Sequence, residues 1–191
     1  TPTIDRHYAV MATLGERFVY FRMPESDQAS KARYAIAHTG HETEMRQELV
    51  QLTKEFISKL DLSGASPALS TEDVERLIAL AGFTTRCRSA VDRDTSQNRE
   101  IELVPAPESP TRFAKVLVQL LHGMHLVGIP RERAWGLITK MATDSMPALR
   151  REVIMALAQM DGPVEVTALA NTLNYPSNTT RRVLEDLNAH G

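Results

Sequence analysis

Two histidine pairs, one cysteine and one polar cluster are the side chains in this chain whose types and spacing could do chemistry. His38 and His41 stand three residues apart, as do His122 and His125. On a helix that spacing lets two imidazoles share a metal ion. Gly40 interrupts the first pair, however, and no acidic or cysteine partner lies at a regular spacing from the second, so surface or helix-end histidines are the simpler reading. Cys87 lies between Arg86 and Arg88, neighbours that could lower a thiol pKa. No cysteine-enzyme signature surrounds it, so a buried, inert cysteine is expected. Serine, histidine and aspartate all occur, but no nucleophile elbow joins them. There is no G-x-x-x-x-G-K-[ST] loop to cradle phosphates, and no apolar strand ends in paired acids to hold Mg²⁺. The chain alone should therefore not hydrolyse ATP. The remaining cluster is Ser177, Asn178, Thr179, Arg181 and Arg182, with Glu185 one turn on.

That cluster needs elements to present it, and the last 43 residues, Leu149 to Gly191, supply them. Val153, Ile154, Leu157 and Ala158 share one helical face, which Asp161-Gly162-Pro163 stops. Val166, Leu169, Ala170 and Leu173 form a second face, stopped by Asn174-Tyr175-Pro176, and Val183, Leu184 and Leu187 form a third. Ser177 stands where an N-cap would satisfy the amides that open the last helix. Three helices with a tight turn between the last two make a helix-turn-helix pattern, whose final helix enters the DNA major groove. The polar cluster would then face outward, its groups suited to phosphates and base edges. Charge works against this module. Arg150, Arg151, Arg181 and Arg182 meet Glu152, Asp161, Glu165, Glu185 and Asp186, a net charge of −1, and phosphate attraction dominates DNA affinity.

The run PVEVTALANTLNYPSNTTRRVLEDLNAHG resembles the winged helix-turn-helix domains of bacterial regulators of the MarR, IclR and ArsR groups. In those families the last helix is followed by a β-hairpin, the wing. This sequence stops at Gly191, so the wing is expected to be missing. The resemblance implies DNA contact by Ser177, Asn178, Thr179, Arg181 and Arg182.

Upstream, TPTIDRHYAVMATLGERFVYFRMP resembles the end of the ATPase core of AAA+ proteins of the MCM and MoxR type. In many members an arginine of the turn before the last strand is the finger that reaches a neighbour's γ-phosphate. That role would fall on Arg17, where a fixed guanidinium suits charge on a transferring phosphoryl group. The stretch VPAPESPTRFAKVLVQLLHGMHLVG resembles the helical lid of the same proteins, and would place the sensor-2 arginine on Arg112. Finger turn, lid, sensor helix and winged helix follow in the order known from replicative and mobile-element ATPases. The resemblance implies ATP and Mg²⁺ in a parent protein, none in this chain alone, and a homo-oligomer, ring or dimer.

Between these ends the periodicity is helical. Ile4 to Leu14 predicts a short helix and Phe18 to Phe21 a strand. Met45, Leu49, Leu52, Phe56 and Leu60 recur at intervals of three and four, which predicts a long amphipathic helix. Ser70-Thr71-Glu72-Asp73 caps another helix, with a break expected near Gly82. Arg99 to Val104 alternates like a half-buried strand. Phe113, Val116, Leu117, Leu120, Leu121 and Met124 predict a helix with a wide apolar stripe, and Pro130 opens the next, with Trp135 and Ile138 facing inward.

Composition sets the outer bounds. Of 191 residues 42% are hydrophobic and 24% charged, with a formal charge of −2, values of a globular protein and not of a strongly basic nucleic-acid binder. No apolar run approaches the ~20 residues of a membrane span, no signal peptide is visible, and one cysteine fits a reducing cytoplasm. The missing initiator methionine makes the chain read as part of a longer protein. The expected fold is mainly α: the end of an ATPase-like core over 1–24, a lid-like helical body over 25–145 and a helix-turn-helix module over 146–191, with one or two short strands. The expected function is DNA engagement within an AAA+ ATPase of helicase type. A helix-turn-helix regulator with a dimerising or effector-binding body, or a protein-interaction module with a winged-helix fold, are the alternatives.

Overall fold

The computed structural model describes residues 18–23, 27–62, 68–95 and 98–191. Among them the fold is mainly α, with eight helices and one two-stranded sheet. In chain order these are α1 (Gln28–Ala37), α2 (Glu42–Ser58), α3 (Thr71–Arg88), β1 (Asp92–Arg93), β2 (Ile101–Leu103), α4 (Thr111–Leu126), α5 (Arg131–Asp144), α6 (Ala148–Leu157), α7 (Val166–Leu173) and α8 (Ser177–Ala189). No described helix is long and apolar enough to cross a membrane. The expected helix at Ile4 to Leu14 lies outside the described residues.

The core sits where α3, α4 and α5 meet. Phe113, Leu117 and Leu121, at intervals of four, turn the α4 stripe inward against Leu77 and Ala81 of α3 and Ala134, Trp135, Ile138 and Ala142 of α5. Burying each large apolar side chain stabilises the fold by roughly 1.5–3 kcal/mol. Local chemistry fixes the ends of these helices. Ser70 Oγ accepts a hydrogen bond from the Asp73 amide at the start of α3. At the end of α4, Gly128 takes φ +75°, so that its amide reaches the His125 carbonyl and the Ile129 amide the Met124 carbonyl. This is the Schellman closure, which favours glycine because no Cβ obstructs the left-handed conformation. The break expected near Gly82 does not occur. A mid-helix glycine costs only about 1 kcal/mol, and α3 buries Ala81, Thr84, Thr85 and Cys87 around it.

Three charged anchors hold the packing. Asp73, buried at the start of α3, receives both arms of the Arg131 guanidinium from α5, a hydrogen bond that holds its carboxyl down at about 2. Arg88 is buried over the Phe113 ring, 4.5 Å from its centroid, and donates to Glu108 Oε2 at 2.6 Å. Asp144, fully buried at the end of α5, binds Lys140 and Arg151 and accepts the Arg22 amide at 2.8 Å.

That last bond corrects an expectation. Residues 18–23 form no strand. The Tyr20 amide donates to Ser145 Oγ at 3.1 Å, Arg22 Nε to the Asp144 carbonyl at 3.2 Å, and Lys140 Nζ to the Arg22 carbonyl at 2.9 Å. Polar groups at the α5–α6 corner thus satisfy the backbone that a neighbouring strand would otherwise have to pair.

Candidate nucleic-acid interface

The last three helices pack on one another around Val153 of α6, Leu169 and Ala170 of α7 and Thr180 of α8, all at most 1% exposed. The second expected stop is built as the sequence suggests. Asn174 adopts φ 55° and ψ 41°, the Tyr175 amide donates to the Ala170 carbonyl at 3.0 Å and the Asn174 amide to the Asn171 carbonyl at 3.2 Å. Asparagine is the non-glycine residue best suited to this left-handed closure. Ser177 is not the N-cap. Pro176 holds that position, its carbonyl accepts the Thr179 and Thr180 amides, and Ser177 is the first helical residue. Leu157 and Ala158, expected on the inner face of α6, lie at the surface instead.

With Thr180 turned inward, the 3.6-residue repeat carries Asn178, Arg181, Arg182 and Glu185 to the opposite side of α8. Ser177 and Asn178 are exposed and Thr179 half-buried. The Arg181 side chain is 56% exposed, and its Nε lies 3.8 Å from Glu185 Oε1 one turn on. The first turn of α8 contains no acid, so the positive end of the helix dipole there is not offset by a local carboxylate. Arg182 departs from the expected arrangement. It is half-buried, and its Nη2 lies 3.4 Å from the Asn98 carbonyl.

What covers Arg182 is the β1–β2 hairpin. Its strands are antiparallel, with Asp92 opposite Leu103 and Arg93 opposite Ile101 across an irregular register. Far from being half-buried, β2 is exposed along its length. Arg93 carries the docking. Its Nε donates to Asp186 Oδ1 at 3.0 Å, its Nη1 to Glu185 Oε2 at 3.0 Å and its Nη2 to the Arg182 carbonyl at 2.9 Å. Burial disfavours the Arg93 charge, but bonding to Asp186 and Glu185 outweighs it and raises its pKa. Arg150, buried at the start of α6, completes the group. It donates to the Cys87 and Ser89 carbonyls at 3.0 and 2.6 Å and to Asp186 Oδ2 at 3.0 Å. One carboxylate therefore joins the end of α3, the base of α6 and the hairpin to α8.

Sequence reading missed Arg93, Arg150 and Asp186 as a unit. No local spacing marks them, since Arg93 and Asp186 are 93 residues apart. The charge deficit of the module changes meaning with Arg93 in place, because the hairpin brings this further cation against Asp186 and Glu185.

Of the ATPase residues expected from the sequence, Arg17 lies outside the described residues. Arg112 is exposed in the first turn of α4 and has no ion pair among them. The nearby hollow of about 560 Å³ is lined by Ile78, Pro110, Thr111, Ala114, Lys115 and Val118, an apolar wall with none of the amide-rich loop that holds phosphates. The candidate chemistry elsewhere resolves simply. His38 Nδ1 meets the Tyr34 carbonyl at 2.7 Å and His41 meets Glu44 at 3.1 Å. No group of three metal-ligating side chains forms among the described residues. Burial pushes the Cys87 thiol up to about 11 despite Arg150 and Arg86, so it is a poor nucleophile at neutral pH.

No protein-family model, curated protein or solved structure matches the chain.

Proposed function

We propose that α6, α7 and α8 form a helix-turn-helix that binds duplex DNA, with the N-terminal half of α8 in the major groove. The observation that carries this reading is the open face of α8. Ser177, Asn178 and Arg181 stand exposed on a helix start without acids, behind a tight turn and a packed three-helix unit. Hydroxyl, amide and guanidinium groups on one face can bond both base edges and phosphates. The resemblances in chain order extend the proposal to the DNA-engaging region of an AAA+ ATPase, in which the exposed Arg112 is available to a nucleotide.

The test is fluorescence anisotropy of the full chain with a mixed-sequence duplex, between 50 and 200 mM salt. Arg181→Ala is expected to weaken binding and to lower the slope of log Kd against log salt by about one. Unchanged affinity and slope would remove α8 as the reading element. Arg181 is the cleaner target than Arg182, whose guanidinium already touches the hairpin.

A further inference from the structure

Deepening the DNA-binding reading and resting on it, we propose that the β1–β2 hairpin acts as the wing of this module, with Arg99 on a backbone phosphate beside the groove that α8 enters. The hairpin precedes the recognition helix in the chain by some eighty residues, yet it lies along it. His190 Nε2 bonds the Ala90 carbonyl at 3.1 Å, Arg93 bonds Asp186 and Glu185, and Arg182 reaches the Asn98 carbonyl. Moving up the hairpin from Ala90 to Asn98 thus means moving down α8 from residue 190 to 182. The two run antiparallel, and Asn98 stands beside Arg182, in the half of α8 that carries Asn178 and Arg181.

Position around the helix matters as much as position along it. Arg182, Asp186 and His190, which hold the hairpin, recur every four residues and so form one row on α8. Asn178 continues that row toward the start of α8, Arg181, Glu185 and Asn188 lie beside it, and Asn178, Arg181 and Asn188 are exposed. The hairpin therefore takes Glu185 through Arg93 but leaves Asn178 and Arg181 exposed beside it. A flanking element at the reading end of a groove-bound helix meets the sugar-phosphate backbone, where contacts fix register and orientation rather than sequence.

Arg99 is the hairpin's free cation for that contact. It is exposed and has no ion pair among the described residues. It adopts φ 51°, a left-handed conformation that side chains other than glycine, asparagine or aspartate seldom take, and its carbonyl is held there by Arg93 Nη1 at 2.7 Å. With no ion pair among the described residues to hold it, the Arg99 guanidinium is available to an external anion. Asp94 and Glu100 flank it in the hairpin, which limits the wing to one phosphate rather than a broad basic surface.

The backbone conformation supplies the variant. Arg99→Gly removes the charge and suits φ 51°, so melting temperature should hold or rise. In the anisotropy titration with the mixed-sequence duplex, Arg99→Gly is expected to weaken binding roughly three- to tenfold at 100 mM salt and to lower the salt slope by about one. Arg99→Lys should keep the slope. If Arg99→Gly binds like the parent while Arg181→Ala weakens binding, the helix-turn-helix reading stands and the wing falls. Tighter binding by Arg99→Gly would make the hairpin a cover over α8 and overturn the wing. Absence of binding by the unaltered chain at 50 mM salt would overturn both readings.

Discussion

Asp144 and Asp186 do the same job at two ends of the molecule, in different surroundings. Each carboxylate gathers two cations and ties a distant piece of chain to a helix: residues 18–23 to the α5–α6 corner, and the hairpin to α8. Asp144 is 0% exposed and answers to a backbone amide, whereas Asp186 is 17% exposed at the side chain and, among the described residues, answers to guanidinium groups. A fully buried charge is an obligation, because removing one partner leaves the rest desolvated and unpaired. A charge at the rim can be re-solvated, so it tolerates adjustment. The first arrangement suits a fixed joint and the second an element that must settle against a ligand.

Substitution can break the comparison. The largest effect is expected from Asp144→Ala, which leaves Arg151 and the Arg22 amide without their acceptor and Lys140 with the Arg22 carbonyl alone, and should cost about 3 kcal/mol in urea unfolding; a loss below about 1 kcal/mol would mean that the corner re-solvates as easily as the rim. At the hairpin, a double-mutant cycle of Arg93→Ala and Asp186→Ala should give a coupling of about 1–2 kcal/mol, and additivity would deny the pair its anchoring role. Asp73 sharpens the contrast from a third position, since its partner Arg131 is more than half exposed and screened by solvent. Its carboxyl is held at about 2 against an ordinary 3.8, so the stability it adds is fully present above about pH 4 and disappears as the pH falls through about 2. Asp73→Asn should therefore be less stable than the parent at pH 6, with the gap closing between pH 4 and pH 2 in urea melts. A gap independent of pH would assign the effect to the fit of the buried side chain rather than to its charge.

The helices were legible in the sequence because their causes are local. The stripe of α4, the capping serine at residue 70 and the Asn174-Tyr175-Pro176 stop each lie within a turn or two of their effect. Their partners were not legible. The apolar row of α2 repeats like that of α4, yet Leu49, Leu52 and Phe56 are more than half exposed, and no residue of α1 or α2 is buried. Periodicity reports that a helix has an apolar face, not what lies against it. The same gap explains the candidate interface. Spacing exposed Ser177, Asn178 and Arg181 correctly, but Arg182 was placed in solvent because nothing near it in sequence announces a hairpin some eighty residues upstream. In the resembling families the wing follows the last helix. The structure sets a hairpin beside α8 from the other direction.

The bonds between residues 20–22 and 144–146 join positions 122 to 125 apart in the chain. They close most of the described molecule into one large ring. Contacts of such long sequence separation are entropically slow to find, and the acceptors here, Asp144 and Ser145, exist in place only after α5 has ended and α6 has turned away. The α3–α4–α5 core, whose helices follow one another in the chain, is therefore expected to form before residues 18–23 reach the α5–α6 corner.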